Sequence, residues 1–532
     1  DCLLSRGLGD VYKRQVYRCN ELLAHESQIA WSSEETKGTY LGECRAIRAL
    51  CYFDMVRMWG NIPLFTEPVN ENRPQSDPDE VYNVIFSDLL YAVNNIPASA
   101  YPKSAAASND GHITKYAASA LLARVYLFYT GYYGKEPQVE GVTKSTVLQG
   151  LEDFIAVAES EGYGLVDEFK NLWPAASTTW ALNKSTGDYE QTSTYAGDGN
   201  KEVVLAQKFN YTQDYNGNND GNRWLVNMGL RNYLGHAPYG RGWGGCTVNP
   251  KMWTSYGTGD ERREASIINL VSEGISDEAD FETSYKDQRE YTGYTVKKYT
   301  PMSKWMKDEA SGAWSLVDEI SGLGEGDFQI SQYQNFIVMR YADVLLMYAE
   351  AQNYLNNGPT QAAKDALKQV RDRAGVGALS MPSDQQAFED ALLQERKWEF
   401  AGEFMLRTDM IRMNRLSEQL EAAKKEMKEL SKREGKYANM SVYRLYKFQV
   451  DGQQYGDKFL ALDYIDLTDE AEVAVVKEIP TDQGKYNEYQ AKLAEIVRAH
   501  GIAVEDGDKW YPTNMFEAYT STFNGNARKA VG

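Results

Sequence analysis

Met339–Asn353 reads MRYADVLLMYAEAQN. Val338, Tyr341, Ala342, Leu345, Tyr348, Ala349 and Gln352 recur at helical spacing, which predicts one apolar stripe with a polar end. Ala342 and Ala349 lie on that stripe. Small side chains there let a second helix come close, as stacked helix pairs require.

The helical period continues on both sides. Phe336–Asn356 reads as one helix, followed by Thr360–Arg373, Asp384–Ala401 and Glu403–Arg415. Upstream, Val16–Trp31, Thr39–Trp59, Asp79–Asn95, Thr114–Tyr129 and Thr146–Glu161 read the same way. Gly60-Asn61-Ile62-Pro63 is a sharp helix exit, because Gly permits positive φ and Pro blocks continuation. From 162 to 335 the period gives way to Gly, Asn, Ser, Tyr and Trp, with strand-like runs at Glu202–Phe209 and Tyr294–Tyr299. Further on, Leu416–Leu430 is amphipathic and Tyr443–Asp466 reads as a hairpin turning at Asp451-Gly452. Lys485–His500 reads as a last helix and Trp510–Gly532 as loop.

The expected fold is mainly α: helical repeats at 16–161 and 336–415, a loop-rich and partly β ligand-binding region at 162–335 between them, and an insertion and tail at 416–532. Residues 1–15, DCLLSRGLGDVYKRQ, show no period and resemble translated sequencing-adaptor sequence. They are expected to be non-native, and Cys2 lacks the preceding apolar run of a lipid-attachment site.

The chain has 532 residues, 42% hydrophobic and 25% charged, a globular composition with ample length for a large core. Asp and Glu outnumber Lys and Arg by 76 to 56, giving a net charge of −20. Such a chain is a poor binder of nucleic acid and gains nothing from anionic lipid; neutral or cationic ligands suit it better. No CxxC pair occurs among Cys2, Cys19, Cys44, Cys51 and Cys246, and Cys44 and Cys51 share one helix face as expected buried thiols. None of the four His stands at metal-ligand spacing, and no nucleotide-binding or hydrolase motif is present. No metal or cofactor is expected.

Several blocks occur in a familiar order: VYRCNELL (Val16–Leu23), ECRAIRALCYFDMVRMWGNIPLFTEP (Glu43–Pro68), AASALLARVYLF (Ala117–Phe128), Arg340–Asn353, ERKWEFAGEFMLRTDMIR (Glu395–Arg412) and WYPTNMFEAYTSTFNGN (Trp510–Asn526). Together they resemble the SusD/RagB family, starch-binding-type nutrient-uptake lipoproteins of the Bacteroidetes outer membrane. The chain departs from the family pattern of Gly and then a basic residue after Glu403: here Phe404 and Met405 intervene and Arg407 is slightly displaced. Leu416–Val504 carries no family block. The resemblance implies four tetratricopeptide-like helix pairs around an irregular ligand face. It also implies a non-enzymatic, lipid-anchored, surface-exposed protein that captures an oligosaccharide and delivers it to a TonB-dependent, SusC-like transporter. The lipid anchor, missing from this chain, would be its sole membrane attachment. Some members bind peptides, and a tetratricopeptide-like protein-interaction scaffold is the further alternative.

Sugars present flat apolar C–H faces rimmed by hydroxyls, so a binder needs exposed aromatic planes with polar or basic neighbours. The middle region holds seven of the 11 tryptophans. Its candidate ligand residues are Trp180, Tyr195, Tyr215, Asn218, Asp220, Arg223, Trp224, Tyr239, Arg241 and Trp243. Asn216-x-Asn218-x-Asp220-Gly221 imitates the start of a calcium loop, but Asn227 replaces the closing Glu. Glu399 and Glu403, one turn apart, could suggest a glycosidase pair. Arg396 and Arg407 at helical spacing instead suggest a charge network joining helices.

Overall fold

The structure is a computed structural model. It describes residues 2–103, 111–209, 212–213, 219–231, 236–270, 273, 294–319, 332, 334–377, 381–432, 434–435, 438, 443–450 and 459–514. The chain divides into two compact units. The first comprises Asp1–Leu172, Ala196–Lys208 and Asn335–Leu416; the second comprises Trp173–Tyr195, Phe209–Gln334 and Ser417–Gly532.

The helices of the first unit are α1 (Cys2–Ala24), α2 (Glu34–Trp59), α3 (Pro78–Asn95), α4 (Lys115–Tyr133), α5 (Lys144–Val157), α6 (Tyr341–Leu355), α7 (Gln361–Arg373), α8 (Gln385–Glu399) and α9 (Leu406–Arg412). Local chemistry sets most of their ends. Ser33, Thr114, Thr360 and Asp384 cap helix starts by accepting a backbone N–H, and Thr143 with Thr146 closes a capping box. Gly60 ends α2 at φ 69°, as the sequence suggested. Consecutive helices pack as pairs, and α6 and α9 pack back onto α4, so both helical halves share one core. Ala342 and Ala349 are fully buried in it. Gly131 serves the same end, since a Cβ there would strike the carbonyl of Arg412 where α4 crosses α9.

Two expectations need correcting here. The helix expected at Val16–Trp31 begins earlier and ends at Ala24; a short 3-10 turn, Glu26–Gln28, follows, closed by Trp31 Nε1 donating to the Glu26 carbonyl at 3.0 Å. Residues 2–15 are wound into α1, and Tyr12 donates to Asp54 at 3.0 Å. Phe336–Arg340, expected as helix, is a strand paired antiparallel with Val203–Gln207. Its aromatic and β-branched side chains favour that pairing, and α6 starts only at Tyr341.

Arg340 sits at the junction of strand and helix, 1% exposed. Its guanidinium contacts three carboxylates: Glu202 at 2.8 Å, Glu399 at 2.5 Å and Glu403 at 3.0 Å. Arg373 also pairs with Glu202 and Glu399. The expected helix-joining network therefore exists with different partners. Arg396 pairs with Asp343 and Asp409 rather than with Glu399, and Arg407 is exposed. Spacing along one helix names neighbours on its surface, whereas these charges are buried and meet across helices.

The second unit is built from short hairpins. Thr178–Asn183 pairs with Asp188–Ser193, Ser303–Lys307 with Trp314–Asp318, and Ile267–Asn269 with Tyr294–Val296. The hairpin expected over Tyr443–Asp466 forms from Tyr443–Val450 and Phe459–Leu467, with its expected turn at Asp451-Gly452 outside the described residues. Lys509–Asn514, overlapping the tail expected as loop from Trp510, adds a third strand on Tyr443–Val450. Helix Glu470–Val476, not foreseen, and helix Gln483–Ala499 cover this sheet around Leu445, Leu467, Leu493 and Trp510.

Candidate functional site

Helix Arg223–Met228 carries Trp224. Asn222, 1% exposed, anchors its start: its side chain accepts from Trp224 N at 2.9 Å and donates to the Gln334 carbonyl at 2.7 Å. The segment Gly240-Arg241-Gly242-Trp243-Gly244-Gly245 runs against this helix and the residues after it. Trp243 N donates to the Val226 carbonyl at 2.6 Å, Gly244 N to Gly229 at 2.9 Å and Gly245 N to Asn227 at 2.9 Å. The alternating glycines permit that approach. A Cβ on Gly242 would collide with the Gly229 backbone, and one on Gly240 would lie 2.5 Å from the Met302 carbonyl.

The result is a pair of tryptophans fixed to one rigid frame, Trp224 at 42% and Trp243 at 45% exposure. Arg241 stands between the glycines. Its backbone N–H and its side chain both bind Asp318, at 2.9 Å and 2.6 Å, and that side chain remains a third exposed. A guanidinium carries five donors, so part of this one is available to ligand oxygens.

The other expected residues lie elsewhere. Tyr239 is 2% exposed and donates to Glu273; burial, then Glu273, pushes its hydroxyl well above the usual tyrosine range. Trp180 is half-buried against a block in which Tyr189 and Trp305 stack with centroids 4.0 Å apart and Trp314 meets Tyr189 edge-on. That block holds two hairpins together. Lys307 pairs with Asp188 beside it and keeps that carboxyl below its usual range. Tyr195 is half-buried. The backbone of Asp220 pairs in a two-residue ladder and Arg223 opens its helix, but their side chains are not described. Tyr215 and Asn218 lie outside the described residues, as does Asn216 at the start of the calcium-like run.

Sequence reading did not single out Trp253. Its ring meets Tyr294 at 5.3 Å, and the Arg263 guanidinium lies over it at 4.8 Å. The density of tryptophan in the region was its only signal. Among the described residues no group of three His, Cys, Asp or Glu could hold a metal ion, and no helix is long and apolar enough to cross a membrane. The tempting carboxylates Glu399 and Glu403 are buried and bound to Arg340, out of reach of any substrate.

A stacked-helix unit together with a hairpin-rich unit that displays tryptophans defines a helical-repeat protein with an aromatic surface. Residues 201–460 match the family model described as SusD family, and residues 9–127 match one described as starch-binding associating with outer membrane. The chain belongs to the SusD/RagB family. A SusD-like protein of Formosa agariphila is 26% identical over 432 residues, covering 76% of this chain and 69% of its own. One from Bacteroides ovatus is 25% identical over 401 residues, covering 73% and 61%. Among solved structures, surface glycan-binding protein A from Bacteroides thetaiotaomicron in complex with laminarihexaose superposes with a TM-score of 0.56 at 20% identity, covering 77% of this chain and 76% of that one. A laminarin-binding SusD-like protein gives 0.55 at 25% identity, covering 77% and 78%.

Proposed function

We propose that this protein is a surface glycan-binding protein. It captures oligosaccharides and delivers them, unaltered, to a SusC-like TonB-dependent transporter of the outer membrane, to which a lipid anchor would hold it. The observation that carries this reading is the tryptophan pair. Trp224 and Trp243 are large, solvent-facing and held on one frame by the Trp243 N–Val226 O bond. Exposed aromatic planes beside Arg241 suit the C–H faces and hydroxyls of a sugar chain. The relatives support the same class: one neighbour is named for laminarin binding and another holds laminarihexaose. A non-catalytic role agrees with the burial of Glu399 and Glu403, since glycoside cleavage needs two carboxylates flanking an open cleft. In this reading 416–532 is an insertion and C-terminal tail of one SusD-like unit, part of it with its own small core.

Affinity electrophoresis through gels containing starch, laminarin or other soluble polysaccharides tests the proposal, with product analysis of each mixture. Retardation by at least one polysaccharide with no shortened products supports it. Migration unchanged across the panel, or accumulation of shorter oligosaccharides, rejects it.

A further inference from the structure

We propose that Cys19 and Cys44 form a dithiol pair that closes to a disulfide and ties α1 to α2. The two residues are 25 positions apart, on helices that pack together, and Cys44 Sγ donates to the Cys19 carbonyl at 3.5 Å. The neighbouring residue fixes their register. Asn20 Oδ1 accepts from Arg48 Nη1 at 2.7 Å, while Asn20 Nδ2 donates to the carbonyls of Phe65 and Glu67. Arg48 is itself held by Asp88 at 2.7 and 2.8 Å. Asn20, held on both sides, fixes the register of α1 on α2 and keeps the Cys44 thiol against the Cys19 backbone.

Their chemistry is unequal. The hydrogen bond from Cys19, and secondarily the Arg48 charge, lower the Cys44 thiol against the effect of burial. The same shared hydrogen, with burial, raises Cys19. Within the packed helices Cys44 thus has the more acidic thiol of the two. Cys51, two turns beyond Cys44, is pushed up to about 12 by burial and then by Asp54, so it stays a thiol.

The oxidant is a disulfide, either a small molecule such as oxidised glutathione or the active-site disulfide of a thiol oxidase. One of the two cysteines, as its thiolate, attacks one of the oxidant's sulfurs, forming a mixed disulfide and releasing the first thiolate. The other cysteine then loses its proton and attacks the first one's Sγ, which expels the second thiolate. The pair gives up two electrons and the oxidant takes them as two thiols. Because Cys19 and Cys44 are only 6% and 7% exposed, the oxidant meets them as the chain folds. Export through an oxidising compartment would supply it, a context that rests on the outer-membrane reading; the purified chain tests the bond without it.

The full chain is refolded with oxidised glutathione or with dithiothreitol, free thiols are alkylated, and tryptic peptides are weighed. The oxidised sample should contain Cys19–Lys37 joined to Gly38–Arg45, lighter by two hydrogens than the separate peptides. Its thermal midpoint should rise by several degrees and fall back on reduction. Cys51→Ser should keep the link and Cys44→Ser should abolish it. Recovery of both peptides alkylated, a link from either cysteine to Ala49–Arg57, or an unchanged midpoint in the linked protein would overturn the proposal. A protein that binds no glycan yet shows the link leaves this inference standing and the proposed function rejected.

Discussion

Arg340 Nη1 donates to Glu399 Oε1 at 2.5 Å, and Arg340 Nη2 donates to the Glu399 backbone carbonyl at 2.8 Å, in the interior of the helical unit. The same guanidinium reaches Glu202 and Glu403 and lies over the rings of Phe169 and Phe400. One side chain thus connects the strand pair, α8 and the turn after it. Removing it leaves buried carboxylates facing each other. Arg340→Ala should destabilise the unit by about 3–5 kcal/mol, and Arg340→Lys should recover little, because an ammonium lacks the planar fork. Urea denaturation followed by circular dichroism reads both; a variant within about 1 kcal/mol of wild type would show the network to be dispensable.

Asp343 makes stability depend on acid. Burial alone would raise its carboxyl, but Arg396 and Arg124 outweigh that and hold it well below the usual carboxylate range. A folded value below the unfolded one, near 3.9, gives stability that is complete above about pH 4 and drains away as pH falls towards the folded value. Urea midpoints from neutral pH down to about pH 2 should fall mainly below about pH 4. Asp343→Asn should start lower at neutral pH and lose less on acidification; an equally steep acid limb in that variant would assign the effect to other groups.

Phe404 has φ 61°, half its side chain exposed, at the position where the family usually has glycine. The left-handed backbone costs a non-glycine residue about 1–2 kcal/mol, while glycine loses about 0.5–1 kcal/mol in chain entropy. Phe404→Gly should therefore melt no lower than wild type, and Phe404→Val should melt measurably lower. The reverse order of melting temperatures would mean that ring contacts, not backbone strain, dominate there.

The glycine frame under the tryptophans has its own test. Gly242→Ala places a methyl against the Gly229 backbone, which has no flexible side chain to yield. It should speed hydrogen exchange at Val226–Gly229 and at Trp243–Gly245, and weaken saccharide binding although no ring is removed. Unaltered exchange would show that the ribbon shifts without loss.

The helices were legible because their period and capping residues are local. Thr114, Thr143 and Asp384 announce starts, and Gly60 announces a stop, without knowledge of the rest of the chain. Strand Phe336–Arg340 was not legible, because its partner Val203–Gln207 is remote in sequence. The edge strand Lys509–Asn514 escaped for the same reason. At the candidate site, composition located the aromatic region but not the exposed rings. Tyr239 and Trp243 sit four residues apart in one Gly-rich run, yet one is buried on Glu273 and the other faces solvent. That difference arises from Gly240 and Gly242 laying the ribbon against Met302 and Gly229, contacts that no local pattern encodes.

The central claim is that Trp224 and Trp243 stack on a saccharide. It is tested most directly by calorimetric titration of wild type, Trp224→Ala and Trp243→Ala with the polysaccharide that retards the protein most in gels, and with its oligosaccharides. Each substitution should weaken binding by about 1–3 kcal/mol in a variant whose thermal transition shows it folded. Wild-type affinity in both folded variants would contradict the account and place the glycan elsewhere on the protein.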